Sequence, residues 1–569
     1  TILREFGFLS PKAYYVPVNF NNQTVKLIFQ EKITKEFIEA NKLREAPILE
    51  GDKRFLFIKK PFNSLSRMVN YKWAVGNVNF DISRDAVSSL NRNYLEGLEG
   101  FPLLLNDKLD SNKMNESFAL LVALESKNGF QFENQTFYYD RIYKKFIPIY
   151  YDEMSNKLNT NKDTYKNLFT SKHGFNSDQV KGAKRVIVSI KALDKKRFMK
   201  QLNKYGLNVS SQKLNEKIDV INSNLQIISN AEDQNKVGPY KQYFSKVKDS
   251  AKKLVFINDG LKVEICNFSM SSCIFEQLDL KEYSKLLGGQ YKNKNGIDYI
   301  FVGNKIEYEN GLILQNNNSS KFKSINFDKD SNIITYGQIE SDINNNSKVI
   351  NFYQKELNSR VLITGGRLKN WKINFFGVKK LPIENNQRFD ENLLTGCLSF
   401  IDMNIENLDI KVNNSSCEDA INFIRVSGNV NNIEIHNSNS DGLDVDYSEI
   451  DFGDIVIFNA GNDCIDFSFG EYTVQYANLN HCSDKAISAG EKTSASLNSI
   501  EVLNSSIGIA SKDSSLVKIE KILFNNAKNC FSAYNKKQEF WGAKIIVNEH
   551  NCQPIRKYQQ KYSLIEVMN

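Results

Sequence analysis

Histidine is scarce in this 569-residue chain, four in all, and the eight cysteines (Cys266, Cys273, Cys397, Cys417, Cys464, Cys482, Cys530, Cys552) form no C-x-x-C pair. Without imidazoles and thiols at ligand spacing, the sequence argues against a zinc centre. An even cysteine count in so long a chain permits disulfides without requiring them. No run approaches ~18 consecutive apolar residues, so no membrane span is expected. The chain opens on Thr1 with neither an initiator Met nor a secretory leader, and the corresponding expectation is an N-terminus processed or truncated upstream. Basic residues are missing locally. The net charge is +8, yet between Cys417 and Gly470 Arg425 alone stands against eleven acids: Glu418, Asp419, Glu434, Asp441, Asp444, Asp446, Glu449, Asp451, Asp454, Asp463 and Asp466. Such a stretch repels phosphates, so no nucleic-acid partner is expected; in its plainest role it solvates a surface.

What is present is ordinary for a soluble globular protein, with 41% hydrophobic and 25% charged residues. The length admits roughly two to four domains. From about Glu356 onward, short apolar stretches are broken by Asn, Gly, Ser or Asp. Ile421, Leu443, Ile465, Ile487, Ile509 and Phe531 recur every 22 residues, and Phe423, Val445, Phe467, Ala489, Ser511 and Ala533 follow two places later. A second apolar set (Ile433/Ile435, Ile455/Ile457, Ala477/Leu479, Ile500/Val502, Ile522/Phe524) keeps nearly the same period. With two or three short strands per period, this predicts a parallel β-helix over 356–550, each coil stacking its apolar residues on the next, and a C-terminal tail over 551–569.

Residues 161–355 read as a helical linker and a β-rich middle region. Leu214, Ile218, Ile221, Leu225 and Ile228 predict an amphipathic helix, and short strands follow, as in "GIDYIFVGNKIEYENGLILQ". Residues 1–160, through "ILREFGFLSPKAYYVPVNFNNQTVKLIFQEKITKEFIEANKL" and "ENQTFYYDRIYKKFIPIYYDEM", resemble part of the CotH kinase-like family. That resemblance implies an α+β kinase-like domain with Asn134 and Asp152 as its metal-binding pair, and Mg2+ and ATP as cofactors if the domain is active. Gln131 stands near the place of the family's catalytic Asp, Met154 replaces its second motif Asp, and the segment with its phosphate-holding Lys has no counterpart. A degenerate scaffold is therefore the expected reading of this part.

Within the β-helix, "SDGLDVD" returns as "NDCIDFS" one period later. Alternate strand residues face opposite ways, so with Leu443 and Val445 inward, Asp444 and Asp446 face out, and Asp466 stands ~4.8 Å from Asp444 on the next coil. Carboxylates so close bind a cation, take up a proton or are offset by lysines. Calcium is the cation such an all-oxygen cluster would take. Asn and Asp are also common at turns for backbone reasons, and that role is an equal expectation for Asp441 and Asp463.

Asn439-Ser440-Asp441-Gly442, Asn462-Asp463-Cys464, "CSDKAISAG" and Ala510-Ser511-Lys512 fall coil for coil on the hallmark runs of the polygalacturonase-like glycoside hydrolases, which they resemble. The resemblance implies a right-handed parallel β-helix and a Cys464–Cys482 disulfide. It also implies Asp441 and Asp463 as the acid and base carboxyls, and Lys512 as the group that holds an acidic substrate. Asn462, Asp484 or Lys485, and Ala510 replace an Asp, a His and an Arg of that family. A lyase or epimerase would instead use Lys512 or Lys485 as base. Asp444, Asp446, Asp466 and Glu491 are candidate substrate or cation ligands, and Tyr447, Phe469, Tyr534 and Trp541 are candidate sugar-stacking aromatics. The function expected first is therefore an extracellular or cell-surface protein interacting with, and processing, a polysaccharide. A non-catalytic surface or self-assembling component comes second, and a CotH-type kinase acting on a surface protein third.

Overall fold

The computed structural model describes residues 2–51, 66–96, 108–124, 135–150, 175–231, 253–290, 299–305 and 322–568, with short breaks at 76, 176, 208, 258–259, 268, 304, 328–330, 358, 379–389 and 391. The chain divides into two compact units, Thr1–Gln315 and Asn316–Asn569.

In the first unit, the predicted amphipathic helix is present as Ser211–Ser229, and Leu214, Ile218, Ile221, Leu225 and Ile228 are all buried on one stripe. Ser210 caps it, its hydroxyl accepting the Lys213 N–H at 3.2 Å. The stripe shares a core with helices Lys108–Ala123 and Ser177–Lys191 through Leu120, Val186 and Leu225, and Asn224 donates across it to the Ala123 carbonyl at 2.9 Å. One core thus draws on residues either side of position 160. Strands Ser66–Met68, Ile48–Gly51, Thr136–Asp140 and Lys145–Ile149 form an antiparallel sheet, and Tyr299–Gly303, Lys253–Ile257, Lys262–Cys266 and Cys273–Gln277 form a second four-stranded one. Asn134 and Asp152, the kinase-like pair, lie outside the described residues.

The second unit holds a parallel β-solenoid of about nine turns, residues 349–567. Ile421, Leu443, Ile465, Ile487, Ile509 and Phe531 pair in register from coil to coil and are fully buried, as the 22-residue spacing requires, and Leu398, 23 residues before Ile421, extends the ladder. Ile410, Ile433, Ile455, Ala477, Ile500 and Ile522 form a second such ladder. The stack extends past both expected limits. Val349–Gln354 already pairs in parallel with Lys372–Phe376, and Lys557–Gln559 and Leu564–Val567 continue the ladders inside the expected tail. The period hides that last coil because Leu516 pairs with Lys544, six places beyond the 22-residue count.

Two corners of each coil need left-handed backbone. At one, Asn414, Asn437, Asn459, His481, Asn504 and Asn526 have φ of 57–64°, and amides bond from coil to coil: Asn437 donates to Asn414 at 3.3 Å, Asn459 to Asn437 at 3.1 Å and Asn526 to Asn504 at 2.8 Å. At the other, Asp402, Arg425, Tyr447, Phe469, Glu491 and Asp513 have φ of 53–54°. All eight cysteines are paired, Cys266–Cys273 in the first unit and Cys397–Cys417, Cys464–Cys482 and Cys530–Cys552 in the solenoid. Four disulfides are typical of extracellular proteins. Among the described residues, no helix is long and apolar enough to cross a membrane.

Candidate functional site

The acidic phrase occupies strands Asp441–Asp446 and Ile465–Ser468, with Leu443 and Val445 in the core. Asp444 and Asp446 lie half-buried on the outward face, and Asp444 pairs in register with Asp466. Asp444 Oδ2 accepts from the Asn422 amide at 2.9 Å.

Asp441 and Asp463 start their coils and are buried, at 8% and 3% exposure. Their bonds run to the next coil rather than locally, and neither has left-handed backbone. Asp441 Oδ1 accepts the Asp463 N–H at 2.9 Å and the Asn462 amide at 2.7 Å; Asp463 Oδ1 accepts the Lys485 N–H at 3.0 Å. Each carboxylate thereby ties its coil to the next. They do more than cap, because the Lys485 ammonium lies 3.2 Å from Asp463 Oδ1 and 3.3 Å from Oδ2, and it also meets Asp484. Burial pushes the Asp441 carboxyl up to about 8, with Asp419 and Asp463 adding repulsion. Burial also raises Asp463, while Lys485 pulls the other way. Burial disfavours the charge on Lys485, but Asp463 and Asp484 outweigh it and hold its pKa above the usual value.

A second group lies three to six places further along the coils. Asp466 is pushed up to about 6 by burial, against the pull of Lys512 and with repulsion from Asp463 and Glu491. Its Oδ1 is buried, and Ser488, in register on the next coil, pulls the carboxyl down through a side-chain hydrogen bond. Lys512, only 7% exposed, brings Nζ to 3.9 Å from that oxygen. It reaches there across Gly490, where a Cβ would stand 3.4 Å from Lys512 Cε. Burial disfavours its charge, but Asp466 and Glu491 prevail and raise its pKa. Glu491 Oε2 accepts from the Ser468 hydroxyl at 2.8 Å, and its Oε1 pairs with Lys537 at 3.1 Å.

Lys537 belongs to the turn at residues 535–541, which folds back over the Tyr447–Phe469–Glu491 corner. Asp513 Oδ1 accepts the Lys536 and Lys537 N–H groups at 2.6 and 2.8 Å, and Phe540 packs edge-on to Phe469 at 6.0 Å. Tyr447 and Phe469 stack at 4.9 Å, so they pack against each other and the turn. Trp541 is 74% exposed and meets Tyr562 edge-on at 6.2 Å. Tyr534 follows Lys512 in its column, its phenol raised by burial and pulled down by Lys512 and Lys485.

The structure thus groups Asp441, Asp463 and Lys485 in one chain of contacts and Asp466, Lys512 and Glu491 in another. Asp463 links the two by repulsion on Asp466. Sequence reasoning missed Asp419, Asn422, Ser488 and Lys537. The first three were within reach, lying 22 residues from Asp441, Asp444 and Asp466. Lys537 was not, since the turn that carries it breaks the period. Among the described residues, the only three potential metal-ligand atoms within 4.8 Å of one another belong to Glu264, Cys266 and Cys273, far along the chain from this face. In comparisons with family models, curated proteins and solved structures, none matches this chain.

Proposed function

We propose that this is an extracellular or cell-surface solenoid protein whose carboxylate–lysine face binds a polysaccharide and transfers protons on it. One observation carries the reading: Asp441, buried and accepting from the Asn462 amide and the Asp463 N–H, and Asp463, paired with Lys485, sit on adjacent coils of a face that also holds Asp466 and a recessed lysine, Lys512. Burial raises both carboxyls, and only Asp463 has an ammonium pulling it back; unlike surroundings of this kind are how one site can supply an acid and a base together. In this reading Asp441 donates a proton to a leaving oxygen, Asp463 or a water beside it acts as base, and Lys512 holds the polar groups of the sugar. Calcium, expected for Asp444, Asp446 and Asp466, enters the reading only as a variable of the test, since their oxygens do not gather within 4.8 Å of one another.

The test is incubation of the whole chain with acidic and neutral polysaccharides, with and without calcium, and product analysis by mass spectrometry. Products carrying added water mark hydrolysis, and unsaturated ends mark elimination. Asp441→Asn and Lys512→Met should abolish turnover. No product and no retention of any glycan on the immobilised chain would defeat the reading. Retention without product would leave binding and remove the catalytic part.

A second reading, a surface component that assembles laterally or end to end, is favoured by the last two coils. Trp541, Tyr558, Tyr562, Leu564 and Met568 are all exposed there. Concentration-dependent association in sedimentation, lost in Trp541→Ser with Tyr562→Ser, would support it.

A further inference from the structure

Three of the four disulfides seal both sulfurs inside the solenoid: Cys397, Cys417, Cys464, Cys482, Cys530 and Cys552 are each at most 2% exposed. The fourth differs. Cys266 and Cys273 face each other directly across an antiparallel pair, Lys262–Cys266 with Cys273–Gln277. The second of these strands is the edge of its sheet, and Cys273 is partly exposed. The neighbours are polar. Glu264, two places before Cys266 and so on the same strand face, brings Oε1 to 3.6 Å from Cys266 Sγ. Lys305 Nζ lies 2.5 Å from that carboxylate and 3.9 Å from Cys273 Sγ. The two sulfurs and the carboxylate oxygen all fall within 4.8 Å of one another.

We propose that the Cys266–Cys273 disulfide gates a metal site, and that its reduction frees two thiols which, with Glu264, take one thiophilic divalent cation. A dithiol supplies the electrons. One of its thiolates, drawn in by the Lys305 ammonium, attacks Cys273 Sγ and breaks the S–S bond, so that Cys266 leaves as thiolate and takes up a proton. The dithiol's second sulfur then displaces Cys273, also as a thiol, and closes the reagent's own disulfide. The cation enters as the two thiols give up two protons, and Glu264 exchanges its bond to Lys305 for one to the metal. Two thiolates and a carboxylate with water as fourth ligand suit Zn2+ or Cd2+ better than a hard cation. Lys305 keeps a quarter of its side chain exposed and can turn outward on its flexible stem. While the bridge stands, the sulfurs cannot bind metal and the site is closed.

The experiment uses the whole chain, treated with a limiting dithiol, alkylated and mapped by peptide mass spectrometry. A parallel reduced sample is titrated with Cd2+ and followed by its thiolate-to-metal ultraviolet band. Cys266 and Cys273 should be labelled while the other six cysteines are not, and one Cd2+ should bind per reduced chain and none per oxidised chain. Glu264→Gln should weaken Cd2+ binding by at least the ~10–100-fold that altering a ligand's outer partner costs. Lys305→Ala should strengthen it, because the competing ammonium is gone. Labelling spread evenly over all eight cysteines, or no thiolate–Cd2+ band after reduction, overturns the proposal. If Glu264→Gln fails to fold, the Lys305→Ala result decides: unchanged or weaker binding overturns it too.

Discussion

The two left-handed corners of the solenoid solve one backbone problem with opposite chemistry. Where Asn414, Asn437, Asn459, Asn504 and Asn526 stand, the residue suits the conformation: asparagine tolerates positive φ and its amide bonds to the coil below. Where Arg425, Tyr447, Phe469 and Glu491 stand, it does not, since for such side chains this conformation costs ~1–2 kcal/mol each. Strain retained at consecutive coils needs compensation from the surroundings. Arg425 forms a two-bond ion pair with Asp402, Tyr447 stacks on Phe469, and Glu491 pairs with Lys537 and Ser468. The asparagine corner is built for stacking alone. The other borders the carboxylate–lysine face, and its residues fix the position of the side chains and the turn around it.

Four measurements sharpen that contrast. The largest effect should come from Lys485→Met, which leaves Asp463 buried beside Asp484 without its ammonium. Breaking a buried pair on one side costs ~3–5 kcal/mol, and denaturant unfolding of the solenoid should show it. A loss under ~1 kcal/mol would mean that water reaches the pair freely. Next, Asn459→Ala should cost ~2 kcal/mol, combining a left-handed alanine with a lost amide bond; Asn459→Gly, which keeps the backbone at ease, should cost about half of that. Equal losses would show that the amide bond alone matters.

A third effect is pH dependence. Asp441 and Asp466 have folded pKa values of about 8 and about 6, above the ordinary carboxylate range. The folded state then binds more protons than the unfolded one, so their contribution is fully present below the unfolded pKa and is lost as pH rises through the folded values. The solenoid's Tm should fall between pH 5 and pH 8, and Asp441→Asn should flatten the upper part of that slope. A Tm that rises with pH, or a slope the variant leaves untouched, would contradict the burial of Asp441. The smallest effect is Arg425→Gly. It loses a partly exposed ion pair worth up to ~1 kcal/mol and relieves a strained corner of similar size, so stability should change little. The same change at Asn459 is destabilising, and if the two positions respond alike the corners do not differ as described.

Much of this was legible beforehand because a stacked coil converts a sequence interval into a spatial neighbour. Position i lies over i+22, so Leu443 over Ile465 and Asp444 over Asp466 could be read directly. Strand alternation then sent Leu443 and Val445 inward and Asp444 outward. The amphipathic helix around Leu214–Ile228 was legible for the same reason, a local period tied to burial. The final coil was missed because the turn at 535–541 lengthens one period. The first unit's core was missed because Leu120, Val186 and Leu225 come from separate helices with no fixed interval between them.

Sequence alone determined the coil length, the inward ladders and the in-register acids, since each follows from a repeat of 22 and a strand period of 2. Tertiary structure decided the rest. It chose Lys485 for Asp463 and Lys512 for Asp466, carried Lys537 back to Glu491, and buried Asp441, which raises its pKa. It also sealed three disulfides in the core and left the fourth at a sheet edge beside Glu264 and Lys305. Charge state and reactivity depend on what covers a group and what stands within a few ångströms of it, and neither is written in the spacing of residues along a strand.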